Sequence, residues 1–409
     1  MRTCALREAR VTPAWCRGAL AAATSCASFA DDRNFYLRAT HARPGFVLAG
    51  DANDAGPDGG HFVLKVHNGV ESLSADFIVC QNLAMDAVRA AGVWCPRALP
   101  ALDGSLIARA EMSLASGTVR SHAVRCLPFR PAKLLGGVKP TVALLEELGA
   151  ITGRVSGALA SFDHPAAHRR FIWDLAQTAS IRPLLTHSEA ERRSTLGAVI
   201  DEFESRVVAN ASELRASIVH GDINDQNVLV DDDGHVVGII DFGDMCHSWR
   251  VNEIAIAAAY VVIAMHYEQE GGGEGGGEGG EGGEGGESVG AMAAAGQALD
   301  EASPPIAKRA KTADAALSEV EACVAMTRSY AKQMDAIGDP LTDAEWSALP
   351  TLIAARITVS LCIGAYSSAK DPTNEYLKLT LLPGWKALQR LRATPAAELA
   401  DTLRRAAGA

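Results

Sequence analysis

From Asp31 to Leu127 the apolar residues come in short alternating runs, and beyond Thr141 they return every third or fourth position. The alternating runs are Asp31-Asp32-Arg33-Asn34-Phe35-Tyr36-Leu37, Gly45 to Leu48, His61 to Val66, Leu106 to Ala110 and His122 to Leu127. They are rich in aromatic and β-branched residues and separated by turn signals such as Asp51 to Gly60, so they predict short antiparallel strands. One helical stretch, Asp76 to Ala91, interrupts them, with Gly92 placed to cap it and Pro96 opening an extended segment. The last strand leaves through Pro128-Phe129-Arg130-Pro131, which puts a hinge at Val124 to Pro131.

The second half has helical spacing. Leu144, Leu145, Leu148, Ile151 and Val155 predict an amphipathic helix over Thr141 to Phe162, and a helical stretch opens at Phe171 to Leu175. Further helices are expected over Glu189 to Ala211, Val251 to Met265, Val320 to Ala336, Asp343 to Ser368 and Glu375 to Arg392. No uninterrupted apolar run approaches the roughly 18 residues that a membrane span requires. The pattern predicts an α+β chain of two lobes. A sheet lobe with one helix occupies 30–127, and a mainly helical lobe occupies 128–267 and 317–409.

Two stretches fall outside this pattern. Residues 1–29 carry Arg2, Arg7, Arg10 and Arg17 against a single Glu8, a composition that suits either an organelle-targeting segment or a disordered one. Residues 268–316 are a Gly/Glu repeat followed by Ala, Ser, Pro and Lys, too poor in large apolar side chains to order themselves. That tract also changes the meaning of the net charge of −11, because Glu268, Glu270, Glu274, Glu278, Glu281, Glu284 and Glu287 account for seven of those charges. The rest of the chain is only mildly acidic, which argues against a nucleic-acid partner. Nine cysteines occur singly with no C-x-x-C pair, the usage expected of reduced thiols in the cytoplasm. Cys246 is read as a buried thiol rather than a nucleophile, since no base is placed with it.

The candidate chemistry lies between Ser217 and Asp244, in SIVHGDINDQNVLVDDDGHVVGIIDFGD. Asp222 and Asn227 are five apart in a loop, and Asp241 ends a strand after a hairpin turned at Asp231 to Gly234. This reproduces the H-x-D-x-x-x-x-N and D-F-G elements of kinases in order and spacing. Asp222 would take the proton of the attacking hydroxyl, while Asn227 and Asp241 offer hard oxygen ligands for Mg²⁺. His220 would brace the loop. Lys65, in the middle of a predicted strand, is the candidate phosphate-binding ammonium. Trp173 and Asp174 are read as packing and capping. Arg356, Tyr366, Tyr376 and Trp385 are polar tips on otherwise apolar helices.

HGDINDQN followed by IIDFGD resembles the aminoglycoside phosphotransferase and choline kinase superfamily, in which glycine follows the loop histidine. DDRNF, VLKV, QNLAMDAVRAAG, VRCLPF, FIWDL, NEIAIAAAYV, AYS and GWKALQRL further resemble the hydroxylysine kinases, from Asp31 to about Arg392 apart from the Gly/Glu tract. The resemblance implies a protein-kinase-like fold and transfer of the γ-phosphate of GTP to the 5-hydroxyl of 5-hydroxy-L-lysine. It assigns Asp32, Asn34, Lys65 and Gln81 to the nucleotide. A substrate with an extra ammonium calls for carboxylates near the acceptor, which points to Asp244 and Glu253, with Arg356 as partner of the substrate carboxylate. The predicted helix lacks the glutamate that protein kinases pair with the strand lysine, leaving Gln81 or Asp76 to hold Lys65. ATP-dependent kinases of choline, ethanolamine, homoserine or an aminoglycoside, and a non-catalytic pseudokinase scaffold, are the alternatives.

Overall fold

The computed structural model describes residues 33–38, 61–69, 71–101, 103–113, 119–267, 317–372 and 380–409. The expected strand at Gly45 to Leu48, residues 1–29 and 268–316, Asp32 and Tyr376 lie outside the described residues. The described residues form two compact units. One runs to Asp86 and takes up again over Cys95–Lys133; the other holds Ala87–Trp94 and the residues from Leu134 onward.

The first unit is built on a four-stranded antiparallel sheet. Its strands β1 (Arg33–Arg38), β2 (His61–Val66), β3 (Ala108–Ser113) and β4 (Val119–Pro128) lie in the order β1-β2-β4-β3. Alternation sorts the side chains by face. Leu64 and Val66 join Ala110, Met112 and Val124 in one apolar cluster, while Val63 joins Ala98, Leu127 and Phe129 in another. Lys65 is therefore on the Val63 face, directly opposite Asn34 on β1 and Arg125 on β4. Helix α1 (Asp76–Ala90) follows β2 and ends at Gly92, whose φ of 77° is the left-handed conformation that stops a helix.

The second unit is mainly helical. Helix α2 (Val142–Ala160) starts at Thr141, whose side chain accepts from the Leu144 N–H. A 3₁₀ segment, Leu175–His187, occupies the expected helical stretch and is capped by Asp174. Then come α3 (Ala190–Arg206), strands β5 (Ala216–Val219), β6 (Val228–Val230), β7 (Val236–Ile239) and β8 (Cys246–Trp249), and the almost wholly buried α4 (Asn252–Ala264). Strands β6 and β7 form the expected hairpin, and β5 pairs antiparallel with β8. Four helices complete the unit: α5 (Glu319–Ala336), α6 (Asp343–Lys370), α7 (Leu381–Leu391) and α8 (Ala396–Ala407).

Helix α6 corrects one expectation, since by length and composition it is apolar enough to cross a membrane. Scattered polar residues such as Thr351, Arg356, Thr358 and Ser360 break up its apolar run in the sequence. In the fold those same residues are buried with the apolar ones, as in the central helix of a packed core. Helices α5 and α6 open with full capping boxes, Ser318 with Glu321 and Thr342 with Glu345. Glu345 is completely buried and also receives two hydrogen bonds from Arg215, fixing the start of α6 beside the start of β5.

Candidate active site

The loop between β5 and β6 holds the candidate catalytic residues, and its backbone is fixed from below by Glu253 in the first turn of α4. The buried Glu253 carboxylate accepts the His220 N–H at 2.7 Å and the Gly221 N–H at 3.2 Å. The substrate role expected of Glu253 is thus overturned. Its oxygens serve the loop and it is wholly shielded from solvent, with burial pushing its carboxyl up to about 7. His220 is also fully buried. Its ring packs on Phe242 with centroids 4.5 Å apart and bonds the Ile240 carbonyl. Desolvation pulls the imidazole down to about 4, so it is neutral at physiological pH.

Asp222 is held from both sides. Its Oδ2 accepts from Asn224 at 2.9 Å and from Asn227 at 2.8 Å, and its Oδ1 accepts from Arg356 at 3.0 Å. Burial pushes its carboxyl up to about 6 in spite of the neighbouring guanidinium. Arg356 is the second correction. Expected to receive a substrate carboxylate, it is buried on α6, bonded to Asp222 and to the Trp173 carbonyl, and stacked near the rings of Trp173 and Tyr260. Trp173 and Tyr260 are the neighbours that sequence spacing missed, because both lie far along the chain from the loop.

The second half of the motif follows β7. Asp241 has φ 61°, the only non-glycine residue with positive φ among the described residues, and it is solvent-exposed. Aspartate tolerates this backbone at a cost of about 1 kcal/mol, and such strain at a candidate site points to function. Asn227 uses its Nδ2 on the Asp222 carbonyl and carboxylate, which turns Oδ1 the other way. Asn227 Oδ1 and the Asp241 carboxylate are the hard oxygen donors that a magnesium ion accepts, and magnesium needs few protein ligands because it keeps several waters. Among the described residues, no group of three or more His, Cys, Asp and Glu side chains is set to form a complete metal cage.

Asp244 is half-buried three residues on. Burial and the charge of Asp222 push its carboxyl up to about 8. Arg169 donates to the Gly243 and Met245 carbonyls on either side of it. Cys246 is buried and its thiol is driven far up by desolvation, so the bland reading of that residue agrees with its surroundings. Asp174 caps the 3₁₀ segment and accepts from Ser248. Tyr366 meets His187 edge-on, and Trp385 stacks with Arg192.

In the first unit Lys65 is buried beside Asn34 in register. Gln81 is buried on α1 and engaged by Arg125. Its Oε1 accepts from Arg125, and its amide nitrogen is buried with no hydrogen-bond partner among the described residues. Asp76 is exposed in the first turn of α1, where a carboxylate complements the helix dipole. Arg125, unremarked in the sequence beyond its strand, also bonds Asn82 at 2.7 Å and His67 at 3.0 Å, and His67 bonds Glu71. A charge at an inward position of an apolar strand was the signal that could have found it.

The sequence pattern of the phosphotransferase enzyme family matches residues 52–292. The chain belongs to this family. Hydroxylysine kinase of Mus musculus is 29% identical over 344 residues, covering 81% of this chain and 76% of that protein. The Xenopus laevis hydroxylysine kinase is 26% identical over 378 residues, covering 88% of this chain and 82% of its own. Among solved structures, an amicoumacin kinase complexed with AMP-PNP and Ca²⁺ is similar with a TM-score of 0.51 at 15% identity, covering 94% of this chain and 93% of that one. That likeness shows the protein-kinase-like α+β fold. This phosphotransferase acts on the alcohol group of a small molecule, and its family draws on a nucleotide phosphate donor, typically with a divalent metal.

Within the family chemistry, a metal bound at Asn227 and Asp241 would neutralise charge on the phosphates. In that chemistry Asp222 would orient the acceptor hydroxyl and take its proton at a carboxylate oxygen. Asn224, Asn227 and Arg356 hold that carboxylate in one rotamer, so no reorganisation is needed when the acceptor arrives.

Proposed function

We propose that this phosphotransferase transfers the γ-phosphate of GTP to the 5-hydroxyl of 5-hydroxy-L-lysine, with Mg²⁺ as the metal. The observation that carries this reading is the similarity to hydroxylysine kinases over most of the chain. The charge of the site supports it. Asp244 stands half-buried near Asp222 and suits an ammonium of the substrate, while Asp222 faces the hydroxyl. Lys65 and Asn34 are assigned to the phosphates of the nucleotide. The cysteines occur singly in the sequence with no C-x-x-C pair, which suits a reducing compartment, and the cytoplasm is the location proposed.

The test is a panel of 5-hydroxy-L-lysine, choline, ethanolamine, homoserine and an aminoglycoside, each with GTP and with ATP, followed by mass change of the acceptor. Phosphorylation of hydroxylysine at a kcat/KM at least tenfold above the others, with GTP preferred, is expected. Equal turnover of choline defeats the substrate assignment, and equal use of ATP defeats the donor.

A further inference from the structure

Arg356 is 1% exposed, and its guanidinium lies within the site rather than beside it. Nη2 donates to Asp222 Oδ1 at 3.0 Å and Nη1 to the Trp173 carbonyl at 2.8 Å. Its Cζ stands 5.3 Å from the Trp173 ring centre and 5.1 Å from that of Tyr260. The Tyr260 side chain also hydrogen-bonds the guanidinium, and Nε is buried with no hydrogen-bond partner among the described residues, so the charge is held by Asp222, the Trp173 carbonyl and Tyr260. A carboxylate beside two aromatic faces is a ready position for any cation. Here the chain fills that position itself.

The consequence concerns how a cationic alcohol docks. An ammonium bonded to a carboxylate adds charge–charge attraction that a neutral hydroxyl in the same place lacks. Were Asp222 bare, an amino alcohol would bind with its ammonium on the catalytic carboxylate and its hydroxyl elsewhere. Asp244, flanked by carbonyls that bond Arg169, is the second carboxylate of the site.

We propose that Arg356 is a specificity-determining residue: it occupies the cation position formed by Asp222, Trp173 and Tyr260, so that the acceptor's ammonium is directed to Asp244 and its hydroxyl to Asp222. This rests on the reading that the acceptor is a cationic amino alcohol. Arg356 acts on the acceptor by exclusion and through Asp222, and no bond to the substrate is required of it.

Arg356→Met keeps the length of the stem and removes the charge, and Arg356→Lys keeps the charge. With hydroxylysine as acceptor, Arg356→Met is expected to lower kcat and KM together by about tenfold, the mark of non-productive binding. L-lysine, which has the ammonium groups and no 5-hydroxyl, is expected to inhibit Arg356→Met at least tenfold more tightly than wild type. Arg356→Lys is expected to restore much of kcat and the weak inhibition. A raised KM with kcat held, or unchanged lysine inhibition in Arg356→Met, overturns the proposal. Should the methionine variant fail to fold, Arg356→Gln is compared with Arg356→Lys in the same way. If wild type turns over a different amino alcohol, the hydroxylysine assignment fails while the same comparison proceeds with that alcohol and its deoxy amine. If wild type accepts only uncharged alcohols, both fall.

Discussion

Gly221 has φ 77°, and a Cβ there would stand 3.0 Å from the Asp244 carbonyl oxygen. Both facts require glycine between His220 and Asp222, so the family's H-G-D is a steric demand of this loop. Gly221→Ala is expected to cost about 1–2 kcal/mol for the left-handed backbone alone. It should also move Asp222, lowering kcat more than it alters nucleotide KM in steady-state kinetics. Asp222→Asn removes the proton acceptor and should lower kcat by roughly 10²–10⁴-fold with the fold intact by circular dichroism. In its proposed role Asp222 acts deprotonated, and burial holds its carboxyl at about 6, so wild-type kcat should fall as pH drops through about 6. A bound divalent cation would move that limb lower. Asp222, Asn227 and Asp241 stood out in the sequence because phosphoryl transfer calls for those residue types at that spacing. Arg356 was found but misassigned, as nothing in a sequence says that a residue 134 positions away will meet Asp222. Glu253 was misread for a related reason. An acid in the first turn of a helix near the motif looks the same whether it faces solvent, substrate or the loop backbone.

Helix α2 crosses α5 at Gly149 and Gly153. A Cβ on Gly149 would stand 2.1 Å from the Met326 carbonyl oxygen, and one on Gly153 would meet Gln333 at 2.8 Å. At Gly149 the helices approach so closely that the Met326 backbone fills the contact. In an exposed helix Gly→Ala is stabilising by roughly 0.5–1 kcal/mol. Here the sign reverses, and Gly149→Ala is expected to destabilise by about 1–3 kcal/mol through overpacking, read as a lower urea midpoint at unchanged KM values. Helix existence was plain from the spacing of Leu144, Leu145, Leu148, Ile151 and Val155, since burial of one face imposes that period. The crossing partner was not, because a glycine in a helix reads the same whether it faces solvent or another backbone. Helix α8 was passed over, although Leu399 and Leu403 are four apart and both buried. In the sheet the strands were recognisable, but β3 lies at Ala108–Ser113 rather than Leu106 to Ala110, since turn residues bound a strand only loosely.

At the scale of the molecule, function has concentrated acid groups where the fold least tolerates charge. Asp222, Asp244 and Glu253 all carry raised carboxyls, at about 6, 8 and 7. An acid that keeps its proton when folded and loses it when unfolded makes stability fall as pH rises between the two values. Below about pH 6.5 the buried neutral His220 works in the opposite direction, because the unfolded imidazole takes up a proton first. From about pH 6.5 to 8 the acids act unopposed by it. The thermal midpoint should therefore decline over that range, and Asp244→Asn should remove much of the decline in melting scans. The six described cysteines, Cys80, Cys95, Cys126, Cys246, Cys323 and Cys362, are buried in both units. Each is therefore a concealed reporter of opening. In a variant with Cys4, Cys16 and Cys26 replaced, the rate at which iodoacetamide modifies each remaining thiol measures how often its surroundings come apart. Cys80 and Cys126 time the sheet unit, and Cys323 and Cys362 time the helical unit.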